Sequence, residues 1–150
     1  MTDILSLEAR AKNMAAIRGK NTSIEQFICH ELFDRGYRYR KNVNYIPGHP
    51  DIFLRKYNTA IFINGCFWHR HDNCKFAYMP KSNVEFWVKK FEANVLRDKV
   101  VKKTLATEGI KILIIWECTI REMKKDQELC KKIIDQVEQF LKSDNLYDEY

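Results

Sequence analysis

Glycine and proline are scarce in this sequence, five and three in 150 residues. They mark short turns such as IPGHP and no linker, so a single domain over 1–150 is expected. There is no internal repeat and no low-complexity segment, which excludes repeat architectures and compositionally disordered chains. No run of about 18 apolar residues exists, so no membrane-spanning helix and no membrane partner is expected. The N-terminal MTDILSLEARAKN lacks the apolar core and small-residue cleavage site of a secretory leader. With no export signal, the odd count of five cysteines argues against a disulfide framework. A soluble, cytoplasmic chain is the expectation. In a reducing compartment its cysteines are left with core packing, metal ligation or catalysis.

What is present suits one compact core: 45% hydrophobic and 13% aromatic residues. Net charge is +6, although the last eight residues, SDNLYDEY, hold three acids and no base. A basic domain with a flexible acidic tail over 143–150 fits a polyanionic partner such as nucleic acid. Ordinary solvated lysines would account for the charge equally well.

Residues 1–20 end in a basic, polar stretch, KNMAAIRGKN, that reads as an arm. Thr22-Ser23-Ile24-Glu25 matches a capping box, and Ile24, Phe27, Ile28 and Leu32 follow at helical spacing up to Gly36. YRYRKNV alternates as a half-exposed strand would. DIFLRKYN and TAIFING predict two strands around a tight turn at Tyr57-Asn58, the second apolar enough to be central. Ser82-Asn83-Val84-Glu85 is a second capping box and opens a long helix that Gly109 stops. IKILIIW reads as a buried strand. Leu129, Ile133, Ile134, Val137, Phe140 and Leu141 mark an amphipathic helix. The order α-β-β-β-α-β-α predicts an α/β fold, a mixed sheet flanked by helices.

Chemistry concentrates in INGCFWHRHDNC, residues 63–74. Cys66-x4-His71-x2-Cys74 supplies three soft or borderline metal ligands. Cys118, just past the buried strand ending at Trp116, is the best fourth, because adjacent strands can bring their ends together. Three thiolates and an imidazole make a closed tetrahedral Zn²⁺ site, structural because no position remains for water. Buried cysteines also serve as small hydrophobes, and that reading is preferred for Cys29 and Cys130. His69 is left over, as a surface histidine, an alternative ligand, or a general acid/base near neutral pH. Asp51 begins a strand after a turn; it could bind a hard cation such as Mg²⁺ or be an ordinary turn aspartate. Glu25 completes its capping box and could also lean over the strand ends.

PGHPD, AIFINGCFWH, EFWVKKFEANVLRDK and ILIIWEC together resemble the very-short-patch repair (Vsr) DNA mismatch endonucleases, and KNMAAIRGKNTSIE fits their N-terminal segment. The resemblance covers roughly residues 10–121. It implies a restriction-endonuclease-like fold and nicking of duplex DNA 5′ to the thymine of a T:G mismatch, the lesion left when 5-methylcytosine deaminates. It further implies a monomer with functional links to a DNA cytosine methyltransferase and mismatch-repair proteins, acting at the nucleoid. By resemblance, Asp51 is the Mg²⁺-binding aspartate, with the Ile63 backbone carbonyl beside it. His69 is the catalytic histidine, and Glu25 and position 64 are further catalytic positions. Cys66, His71, Cys74 and Cys118 match the structural zinc ligands. Phe67, Trp68 and Trp87 match aromatics that wedge into DNA beside the mismatch, and Met14 in the arm a residue inserted from the opposite groove. Core packing is the competing fate of those aromatics. The chain departs from the family pattern at Ile63 and Asn64, where family members carry Thr then His, and at His49, where a Lys or Arg is usual. The zinc loop is one residue longer. A related Mg²⁺-dependent nuclease with another target, or a zinc-stabilised DNA-binding protein without catalysis, are the alternatives.

Overall fold

A computed structural model describes residues 22–150. The N-terminal arm and Met14 lie outside the described residues. Helix α1 (Ser23–Asp34) starts as its sequence predicts, with the Glu25 N–H donating to Thr22 Oγ1 at 3.4 Å. Strands β1 (Arg40–Lys41), β2 (Ile52–Leu54) and β3 (Thr59–Asn64) follow as an antiparallel meander. YRYRKNV contributes only two paired residues, and DIFLRKYN stops as a strand at Leu54. There a 3₁₀ turn over Arg55–Tyr57 and a left-handed Asn58 (φ 49°) reverse the chain.

Helix α2 (Val84–Thr107) carries the chain back to β4 (Lys111–Trp116), which lies parallel to β3. The capping box at Ser82 does not form. Asn83 is left-handed (φ 55°), which turns the chain into the helix one residue later and leaves Ser82 outside it. Two elements are additions to the predicted order: helix α3 (Glu117–Lys125), ahead of the expected α4 (Gln127–Lys142), and strand β5 (Tyr147–Glu149). The C-terminal residues are therefore no free tail. Ile112, Leu113 and Ile114 of β4 pair in parallel with Tyr147, Asp148 and Glu149.

The sheet runs β1-β2-β3-β4-β5 with both faces covered. Side chains alternate across a strand. Ile61, Ile63, Leu113 and Ile115 thus pack with α1, α3 and α4 residues such as Ile28, Leu32, Ile120 and Ile134. Ala60, Ile112, Ile114 and Trp116 pack on the other face with Leu105 of α2 and with Cys66. Among the described residues, no helix is long and apolar enough to cross a membrane.

Lys111, at the start of β4, is buried and donates from Nζ to the carbonyls of Phe140 (2.6 Å), Leu141 (3.1 Å) and Ser143 (2.7 Å). It closes the C-terminus of α4, whose last carbonyls have no helical partner. Lys111→Met keeps the stem but strands those carbonyls. It should cost about 2–3 kcal/mol, a fall in melting temperature of roughly 5–10 °C, read in a thermal unfolding curve.

Candidate active site and metal centre

The site gathers at one end of the sheet's inner strands. Ligand sites in open α/β sheets form outside the carboxyl ends of the strands, and here those ends belong to β3 and β4. Their parallel register pairs Asn64 with Trp116, so Cys66 and Cys118 each sit two residues further on, side by side. That register brings together cysteines 52 positions apart in sequence, as the Cys118 N–H directed at Cys66 Sγ (3.4 Å) records.

His71 and Cys74 complete the group: the four ligand atoms of Cys66, His71, Cys74 and Cys118 all lie within 4.8 Å of one another. His71 Nδ1 is 3.6 Å from Cys66 Sγ and 3.5 Å from Cys118 Sγ. Around a tetrahedral ion with bonds of about 2.3 Å to sulfur and 2.0–2.1 Å to nitrogen, those edges should be roughly 3.6 Å. The donor set therefore fits a metal ion. Burial, reinforced by the neighbouring cysteines, pushes the Cys66 thiol up to about 12; a cation at the centre would reverse that balance. Cys29 and Cys130 are buried elsewhere, in the α1/α4 side of the core.

The loop is held by more than its cysteines. The His71 ring stacks on Trp116 at 4.1 Å and 9°. Arg70, left-handed at φ 53°, donates to the carbonyls of Phe67, Ala77 and Tyr78. Its guanidinium lies 3.9 Å from the centre of the Phe91 ring. Asn94 of α2 donates to the Trp68 carbonyl at 3.1 Å. Phe67, Trp68 and Trp87 are half-buried and mutually packed, with ring centres 5.2–5.8 Å apart. They form a single aromatic cluster at the junction of loop and helix.

Asp51 immediately precedes β2. It is delivered by the turn through Gly48, whose φ of 84° favours glycine and where a Cβ would run into Val101. The Ile63 N–H donates to Asp51 Oδ2 at 2.7 Å. Burial, with the nearby Glu25 charge adding to it, raises the Asp51 carboxyl to about 7, against the Ile63 hydrogen bond and His69, which lower it. Those same influences place Asp51, Glu25 and His69 within electrostatic reach of one another. Glu25, Ile63, Trp68 and His69 line one cleft. Asn64, buried on the opposite face of β3, lines an adjoining cavity with His69 and Asp98.

Asp98 was not singled out by sequence. Its Oδ2 lies 2.8 Å from His69 Nδ1. A carboxylate can only accept, so Nδ1 carries the proton, and in the neutral imidazole this leaves the lone pair on Nε2. The available signal was an isolated acid on a basic stretch of α2, between Arg97 and Lys99.

The restriction-endonuclease-like mixed sheet, with acidic and imidazole groups meeting at the carboxyl ends of its central strands beside a Cys/His cluster, is an arrangement compatible with a DNA endonuclease. A sequence profile of the DNA mismatch endonuclease Vsr family matches residues 2–75. Type II nicking enzyme V.NmeAIP of Neisseria meningitidis serogroup A is 38% identical over 91% of this chain and 94% of its own length. V.XorIIP of Xanthomonas oryzae pv. oryzae is 36% identical over 90% and 98%. The DNA mismatch endonuclease Vsr of Escherichia coli K12 is 36% identical over 89% and 86%. The chain belongs to the Vsr endonuclease family, and is a hydrolase acting on DNA.

Proposed function

We propose that this protein nicks duplex DNA 5′ to the thymine of a T:G mismatch, using Mg²⁺ for catalysis and Zn²⁺ as a structural ion. The observation that supports the metal is Asp51: a buried carboxyl, held by the Ile63 N–H at 2.7 Å, that burial and the Glu25 charge raise to about 7 and that a cation would return to its charged form. Asp51 and the Ile63 carbonyl are the groups that would hold Mg²⁺, with Glu25 close enough to hold its water shell. Bound there, Mg²⁺ would neutralise charge gathering on the scissile phosphate. Zn²⁺ held by Cys66, His71, Cys74 and Cys118 would order the loop.

The chain's own groups do the remaining work. His69, fixed by Asp98, presents Nε2 to take a proton from an attacking water. Asn64 can hold a water or a phosphate oxygen but cannot carry a proton near pH 7. Phe67, Trp68 and Trp87 replace base stacking when the helix is pried open, and a mismatch opens at lower cost than a matched pair. Met14 from the arm would enter from the other groove. A nuclease of the same chemistry with another target is the second reading, because several relatives carry the name of type II nicking enzymes. Incubation of T:G, other mismatched and T:A duplexes with protein and Mg²⁺ decides. Nicking confined to T:G supports the proposal. Equal cutting of T:A favours the second reading, and binding without any cut refutes both.

Asp98 gives a finer expectation. Asp98→Asn leaves the fold and duplex affinity intact, but its amide can donate to Nδ1 as well as accept from it, so the tautomer with a free Nε2 lone pair is no longer enforced. The single-turnover nicking rate should fall by roughly 10²-fold, the lower end of what a positioned acid–base group contributes.

A further inference from the structure

Tyr78 and Phe86 are more exposed than the aromatics that the family resemblance singles out: 62% and 60%, against the half-buried Phe67, Trp68 and Trp87. Both rest on that cluster. The Tyr78 ring is 5.2 Å from Phe67, and the Phe86 ring is 5.2 Å from Trp87 at 78°. The half-buried three thus fill the interior of an aromatic platform, and Tyr78 and Phe86 form its rim.

Most of each rim ring faces solvent, so neither adds much to folding. Their base is rigid, because Arg70 ties the Tyr78 carbonyl to the loop and Phe86 sits in the first turn of α2. Between residues 75 and 92 there are four lysines and two glutamates. Lys89 and Lys90 follow Phe86 at three and four positions, beside it on the helix, and both are exposed. Flat apolar faces set among cations suit a polyanion with stackable bases.

We propose that Tyr78 and Phe86 stack on the base steps flanking the mismatch and so extend the aromatic platform's grip on mismatched duplex. The inference rests on the mismatch-nicking reading and deepens it. Stacking on a base requires that the base be partly unstacked, and this costs least beside a mismatch. The rim therefore strengthens binding to T:G duplex more than to matched duplex.

The test is equilibrium binding without Mg²⁺, so that no strand is cut, on T:G and T:A duplexes at one salt concentration. Tyr78→Ala/Phe86→Ala should bind T:G duplex about tenfold or more weakly and T:A duplex within about twofold of wild type. Melting temperature and zinc content should not change. Phe86→Tyr should keep wild-type affinity, and so should Leu96→Ala, a control at another exposed apolar position on α2. Unchanged affinity, an equal loss on both duplexes, or a loss that follows melting temperature would overturn the rim. The nicking comparison on the wild type judges the mismatch reading separately, since the rim is scored on binding alone.

Discussion

Asp51→Asn is expected to abolish nicking of a T:G duplex, by about a thousandfold or more, with duplex affinity unchanged within a few-fold. Charge neutralisation by a metal is worth several kcal/mol in the transition state, and each 1.36 kcal/mol is about tenfold in rate. An amide still accepts from the Ile63 N–H but brings no charge to a cation. The same substitution should stabilise the protein at alkaline pH when Mg²⁺ is omitted and zinc is retained. The sign follows from the raised carboxyl. Folded Asp51 loses its proton near pH 7, whereas in the unfolded chain it does so near pH 3.9. Between those values the folded state holds the extra proton, so wild-type stability falls as pH rises through that window. By pH 8 the buried charge costs about 2–4 kcal/mol, which asparagine does not incur. Calorimetry should find the variant more stable than wild type at pH 8 and equal to it at pH 4. Full nicking activity in Asp51→Asn would remove Asp51 from the metal site.

Cys118→Ala is expected to be the second large effect. One zinc per chain should fall to none, and the loop from Cys66 to Pro80 should become sensitive to protease. Loss of one thiolate leaves three donors, and structural zinc contributes to folding directly. Phe67, Trp68 and His69 stand on that loop, so nicking should fall with the metal even though Asp51 is untouched. Cys29→Ala and Cys130→Ala, outside the cluster, should keep the metal. Metal analysis of the purified variants reads the result, and full zinc content in Cys118→Ala would refute the assigned ligand set.

Legibility in the sequence followed the strength of local signals. ILIIW and AIFI are apolar without interruption, and the strands that contain them are the fully or nearly fully buried centre of the sheet. Cys118 could be proposed for the cluster because it follows a buried strand whose end an adjacent strand could meet; the parallel register of β3 and β4 is what sets it beside Cys66. Helix α3 was missed because ECTIREMKK buries only Ile120 and Met123, too little for a periodic stripe. Strand β5 was missed for a different reason. YDE is acidic and short, and its pairing is dictated by the open edge of β4, a tertiary fact. Tyr147 and Tyr150 further anchor their own acids, with Tyr147 Oη donating to Glu149 at 2.6 Å and Tyr150 Oη to Asp148 at 3.1 Å. The His69–Asp98 contact joins residues 29 positions apart across a loop and a helix, and no local pattern encodes it. The capping box at Ser82 shows the opposite error: a correct local motif, overruled when Asn83 turned left-handed.

The most direct measurement maps the cut itself. Duplexes end-labelled on the thymine strand, carrying T:G or T:A at one position, are incubated with wild-type protein and Mg²⁺ and resolved at single-nucleotide length. The account predicts one product, ending at the nucleotide 5′ to the mismatched thymine, absent from the T:A duplex and absent with Asp51→Asn. Cuts at the same position in T:A duplex, or cuts in the T:G duplex that persist in Asp51→Asn, would contradict it.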